Sequence, residues 1–183
     1  KIEGGTQINT DDVCINISDK TFVSEKITVS AWVNNYPAEV GPPDFNEYSY
    51  IISNSRDGAG TYPYVGFDFR ILADDTIKTR IKDDSNSLIL TSSTTVTKNQ
   101  WTHIAFTYDG DTLSHYINGE KDPSVTQRTG LMAGLTESHY ELMIGCMGHN
   151  SPRYNINGSI DNVMVFNQSL TEDQIRSIFN LQQ

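Results

Sequence analysis

The sequence is short of positive charge, holds two cysteines, and contains no long apolar run. Thirteen Lys and Arg stand against 23 Asp and Glu in 183 residues, for a net charge of −10 and a pI near 4.6. That balance argues against nucleic acid or an anionic membrane as the main partner, because both reward a basic surface. No stretch approaches the roughly 18 apolar residues of a membrane span, so membrane insertion is not expected. The chain begins at Lys1 with no signal peptide or basic leader, as a mature or excised fragment would. Cys14 and Cys146 are far apart and form no CxxC pair, which argues against zinc and thioredoxin-like chemistry. They form either one disulfide between an early and a late strand or two buried thiols. His103, His115, His139 and His149 make no HExxH motif, and no glycine-rich phosphate loop occurs.

What is present is a succession of short strand-like runs broken by turn signals. Strands are expected at 12–18, 26–35, 48–54, 63–71, 76–83, 87–96, 101–108, 112–118, 140–146 and 159–167, the pattern of an antiparallel sandwich. Ile27, Val29, Ala31 and Val33 form one face, with Thr28, Ser30, Trp32 and Asn34 opposite. "YDGDT" and "INGEK" read as hairpin turns, since Asp-Gly and Asn-Gly accept positive φ. One helix is expected, over "LTEDQIRSIFN". Thr171 is its N-cap, Gln174 completes a capping box, and Ile175, Ile178 and Phe179 form its apolar stripe. Size fits a single domain over 1–183.

In an otherwise acidic chain, "TIKTRIK" places Lys78, Arg80 and Lys82 on one face. A hairpin through "ADD" puts Asp68 opposite Arg80 and Arg70 opposite Lys78, beside Tyr64. Such a face is either a platform for an acidic glycan, with arginine pairing to a carboxylate, or a solvated surface with ordinary cross-strand pairs. The strand at 159–167 alternates Ile160, Met164 and Phe166 against Asp161, Val163 and Val165. A carboxylate on a strand that is apolar on both faces needs a partner. Asn16, Asn157 and Asn167 head Asn-x-Ser sequons.

The segments "ITVSAWVN" (27–34), "WTHIAFTYDGDTLSHYINGE" (101–120) and "IGCMGHNSPRYNINGSIDNVMVFNQSLTEDQI" (144–175) resemble the laminin-G-like branch of the concanavalin A-like lectin/glucanase superfamily. The resemblance covers most of the chain in order. It implies an all-β fold, a two-sheet antiparallel jelly-roll β-sandwich with a short C-terminal helix. It implies that Asp161, in "GSIDNV", joins an early acidic segment to bind a structural calcium, here through Asn9, Asp11 and Asp12. Calcium takes six to eight oxygens, which these groups would supply; the alternative is that Asp161 caps backbone N–H groups or pairs with a base. Trp32, Trp101 and His103 are expected in structural roles.

Sugar contacts are expected instead from loop residues: Tyr36, Phe45, Tyr62, Tyr64, His149, Arg153 and Tyr154, together with Arg70 and Arg80. The loops 35–47, 55–63 and 148–155 are expected to share one end of the sandwich. The Glu-x-Asp-x-x-Glu strand of the glucanases is absent, so no enzyme is expected. The function so implied is a non-catalytic carbohydrate-binding module of a secreted or cell-surface protein, with a glycan or polysaccharide as partner. The alternatives are a protein-binding adhesion or filament domain and, third, a divergent polysaccharide-active enzyme.

Overall fold

The computed structural model describes residues 6–8, 15–17, 25–36, 48–54, 66–82, 86–127, 141–147 and 155–182. The first six strands in chain order are β1 (Thr6–Ile8), β2 (Ile15–Ile17), β3 (Ile27–Asn35), β4 (Tyr48–Ser53), β5 (Gly66–Leu72) and β6 (Thr76–Lys82). They are followed by β7 (Ser87–Thr95), β8 (Trp101–Tyr108), β9 (Thr112–Ile117), β10 (Glu120–Gln127), β11 (Leu142–Ile144), β12 (Gly158–Phe166) and helix α1 (Glu172–Leu181). Two six-stranded antiparallel sheets result, ordered β1-β12-β3-β8-β9-β10 and β2-β11-β4-β5-β6-β7. This is the expected jelly-roll sandwich.

The sheets meet through the apolar faces that alternation predicts. Ile27, Val29, Ala31 and Val33 of β3 and Ile104 and Phe106 of β8 face Phe67, Phe69, Ile71, Ile77 and Ile81 of β5 and β6, all buried. The Phe106 ring packs edge-on against Phe67 and Phe69, at 5.7 and 5.1 Å. Polar links join the layers. The Thr79 hydroxyl lies 2.8 Å from His115 Nε2 across the core. At the side, the buried Asp122 carboxylate of β10 accepts bonds from Ser93 N, Thr94 N and Ser124 N.

Helix α1 covers the outer face of the first sheet. Thr171 and Gln174 make the capping box reciprocally. Ile175 is fully buried with Leu170 against Ala105 and Tyr116, Phe179 stacks on Trp32 at 5.7 Å, and Gln182 Oε1 accepts from the Trp32 indole.

Two strands lie outside the expected set. β10 carries Pro123, which removes a ladder donor, and β10 is an edge strand where that loss is tolerated. β1 is three residues long and too short to show a period. In β12 a bulge between Asp161 and Met164 inserts one residue, with Asn162 at φ 50°. It resets the alternation. Ile160, Val163 and Val165 all pack on the core, while Asp161 lies opposite Trp32 on the helix side with Met164 and Phe166. The expected grouping of Ile160 with Met164 and Phe166 is corrected accordingly.

Candidate functional site

The outer face of the second sheet carries the charged stripe. Its register is set by the β5–β6 turn. Asp74 Oδ1 accepts from Thr76 N and, at 2.6 Å, from the Thr76 hydroxyl, which together hold its carboxyl below the usual range. Asp75 sits at φ 65° and donates its N–H to Leu72 O. Asp68 therefore faces Arg80, and Arg70 faces Lys78, as the hairpin predicts.

The face is not a solvated one. Asp68 is fully buried and Arg70 is 5% exposed. Arg80 Nε lies 2.7 Å from Asp68 Oδ2, and Arg70 Nε lies 3.4 Å from Asp68 Oδ1. One carboxylate thus serves two guanidiniums. The Arg70 guanidinium also lies over the rings of Tyr48 and Tyr50, at 4.6 and 5.2 Å, and donates through Nη1 to the Tyr50 hydroxyl. These tyrosines were not expected at the site. The signal was the alternation Tyr48-Ser49-Tyr50, which sends both rings to one face. Lys78 and Lys82 flank the pair, and Ile89, opposite Arg80 on β7, is 46% exposed. Along β5 and β6, four basic side chains on this face stand against one carboxylate, in an acidic protein.

Tyr36 serves as an anchor. Its phenol bonds the Ser159 hydroxyl at 3.0 Å and its N–H donates to Asn157 O. Trp32 packs beneath α1, whereas Trp101, also expected in a structural role, is 44% exposed at the start of β8, opposite Asn34. Tyr62, Tyr64, Phe45, His149, Arg153 and Tyr154 lie outside the described residues. The segments 37–47, 55–65 and 148–154 of the expected loops also lie outside the described residues.

A calcium at Asp161 needs at least five further oxygens. Asp161 Oδ1 accepts the N–H of Asn162 at 2.7 Å, a local cap. Thr6 lies opposite Ile160 and Ile8 opposite Gly158, so β1 runs away from Asp161 as it leads towards Asn9. Among the described residues no three His, Cys, Asp or Glu side chains gather for a metal. Asn9, Asp11 and Asp12 lie outside the described residues. Cys146 is disulfide-bonded, and the sequence holds one other cysteine, Cys14, also outside the described residues.

The two described histidines are buried. His103 Nε2 bonds the Ser30 hydroxyl at 2.8 Å beneath α1, and neither His103 Nδ1 nor His115 Nδ1 has a hydrogen-bond partner. Burial lowers His103 to about 4 and His115 to about 3. A nucleophile and base buried without a third, orienting group do not make a triad.

The chain matches the concanavalin A-like lectin/glucanases superfamily over residues 9–176. No curated protein matches its sequence. Among solved structures it is similar to the carbohydrate-binding module of the Ruminococcus gnavus IT-sialidase bound to alpha2,3 sialyllactose, with 14% identity, 96% of each chain covered and a TM-score of 0.72. It is similar to the NanB sialidase of Streptococcus pneumoniae, with 17% identity and a TM-score of 0.71, over 95% of this chain and 27% of that one. A SAP-like pentraxin of Limulus polyphemus aligns with 15% identity and a TM-score of 0.59, over 86% of this chain and 70% of the pentraxin. At these identities the likeness is one of fold.

Proposed function

The chain belongs to the concanavalin A-like lectin/glucanase superfamily, and on that premise we propose that it is a non-catalytic glycan-binding module of a secreted or cell-surface protein, selective for sugars bearing a carboxylate. The observation that carries the reading is the Asp68 carboxylate shared by Arg70 and Arg80 beside Lys78 and Lys82. Asp68 draws the two guanidiniums together on one face, and a sugar carboxylate is an anion of the shape that such planar forks recognise. Asp68 orients the Arg80 plane, and a fixed guanidinium recognises a carboxylate better than a mobile one. Sialyllactose, bound by the Ruminococcus module, carries such a carboxylate. The stacked Tyr48, Arg70 and Tyr50 hold the floor rigid.

The reading requires neither a metal ion nor catalysis. Asp68, held between two guanidiniums, is committed to organising them, and hydrolysis of a glycoside needs a second carboxylate across the bond. The pairing of Cys14 with Cys146 belongs to the same proposal, as a staple suited to an oxidising compartment.

Calorimetry with sialyllactose, a glucuronate oligosaccharide and lactose tests the proposal. The acidic sugars should bind in a salt-sensitive way, lactose should not, and Arg80→Ala should weaken binding about tenfold or more. Equal binding of lactose overturns the carboxylate selectivity. No binding of any glycan, with self-association by light scattering, favours an adhesion domain, and turnover of a polysaccharide restores the enzyme.

A further inference from the structure

Three Asn-x-Ser sequons, at Asn16, Asn157 and Asn167, take no part in the glycan-binding reading, and the fold treats them differently. An N-linked glycan needs an asparagine amide at the surface, with room for a bulky polar group. Asn157 lacks that room. It is half-buried and lines a cleft of about 30 Å³, the size of a water or two. Its neighbour Gly158 has no space for a Cβ, and Ser159 is buried with its hydroxyl on the Tyr36 phenol. Asn16 lies within β2, and its Nδ2 donates to the Glu141 carboxylate.

Asn167 is exposed, the first residue after β12 and the start of the turn into α1. Gln168 is exposed as well, and Ser169 is half-exposed. One side chain fixes the backbone of this turn: the Thr28 hydroxyl donates to Gln168 O at 2.8 Å and accepts from Leu170 N at 2.9 Å. The sequon thus stands on a fixed step at the surface. Beside it lies a mainly apolar groove of about 430 Å³, lined by Phe166, Gln168, Leu170, Gln174 and Ile178. That is the size of a small-molecule site. Phe166 and Gln168 are the residues on either side of Asn167, so the groove begins where that side chain is attached.

We propose that Asn167 is an N-glycosylation site and that the first sugars of its glycan lie in this groove. The donor is an oligosaccharide carried on a lipid pyrophosphate. Asn167 Nδ2 bonds to the anomeric carbon, the bond from that carbon to the phosphate oxygen breaks with its electron pair, and the amide gives up one proton. Ser169 completes the acceptor motif. A pyranose has an apolar face of C–H groups and polar hydroxyls at its edge, which suits Phe166, Leu170 and Ile178 beside the amides of Gln168 and Gln174. Attachment next to the groove holds the sugar at high effective concentration, so a weak contact suffices. The inference rests on the reading of a secreted or cell-surface protein and not on the ligand of the arginine face. Arg70 and Arg80 belong to the other sheet, so the module would carry its own sugar on one layer and read a foreign one on the other.

Peptide mapping by mass spectrometry tests the site, on the protein from its own source and on the full chain secreted by cultured mammalian cells. Enzymatic release of N-glycans in heavy-oxygen water marks each occupied asparagine as a heavy aspartate. Asn167 should be marked in most chains and Asn157 in few or none. Asn167→Gln should remove the added mass, and so should Ser169→Ala, which keeps the asparagine. Unmodified Asn167 in either sample overturns the inference. Nuclear Overhauser contacts between the ring protons of the first sugar and Phe166 or Ile178 test the groove, and their absence with Asn167 occupied overturns that part. Titration of the same samples with sialyllactose separates the two readings. Asn167→Gln should leave that binding unchanged, and an occupied Asn167 without any sialyllactose binding keeps this inference while removing the carboxylate-selective one.

Discussion

The Thr79 hydroxyl and the His115 imidazole stand 2.8 Å apart in the middle of the core, one from each sheet. The bond exists only while His115 is neutral enough to be buried, and burial lowers its pKa to about 3 although Asp122 acts the other way. His103 is lowered to about 4 by burial beneath α1. In the unfolded chain both titrate near 6.5, so between that value and the folded ones the unfolded state binds more protons. Stability is therefore full above pH 6.5 and falls as the pH drops, at about 1.4 kcal/mol per pH unit for each histidine, until the folded pKa is reached. Urea midpoints between pH 7.5 and about 4.5, above most carboxylate titration, should show this slope. His115→Gln should reduce it, and a flat profile in that window would refute the assignment.

Asp122 closes the side of the sandwich. Burial alone would raise its pKa, but bonds from Ser93, Thr94 and Ser124 outweigh that and hold it at about 2. Asp122→Ala strands three backbone donors at the β7–β10 seam and should cost about 3 kcal/mol by chemical denaturation. A loss under about 1 kcal/mol would show that the seam is held by packing instead.

Gly158 has no room for a side chain, since a Cβ there would sit 2.2 Å from Asn34 O. Gly158 of β12 stands opposite Asn35 of β3 at this point. Gly158→Ala should separate them, costing about 3 kcal/mol or more, read as a lowered melting temperature or an insoluble product. A stable variant would mean that the β3 terminus can shift.

Asp161 Oδ1 caps the Asn162 N–H; with that cap as its whole role, a chelator leaves the melting temperature unchanged and Asp161→Asn costs about 1 kcal/mol or less. A fall of several degrees in EDTA, reversed by calcium, would mean that Asn9, Asp11 and Asp12 complete a cage with Asp161.

The sheets were readable because alternation is local. Ile27 to Val33, Phe67 to Ile71 and Ile77 to Ile81 each declare their inward face by a period of two, and the "ADD" turn fixes the Asp68–Arg80 register. What could not be read depends on neighbours distant in sequence. Asp68 and Arg70 look like surface charges until Tyr48 and Tyr50 on β4 are placed beside them. Trp101 looks like a core residue until α1 is seen to pack on Trp32, Ala105 and Tyr116 and to leave it uncovered. Asp161 changes side because a single bulge residue, Asn162, is inserted, and apart from the tolerance of asparagine for positive φ no residue type announces it.

The docking of α1 on the first sheet gives the domain a front and a back. With Ile175, Phe179 and Gln182 seated over Ala105, Trp32 and His103, most of that surface is shut. The sheet that carries Arg70 and Arg80 forms the opposite side, so a parent protein joined to this domain through the helical side would hold it like a hand with the palm outward.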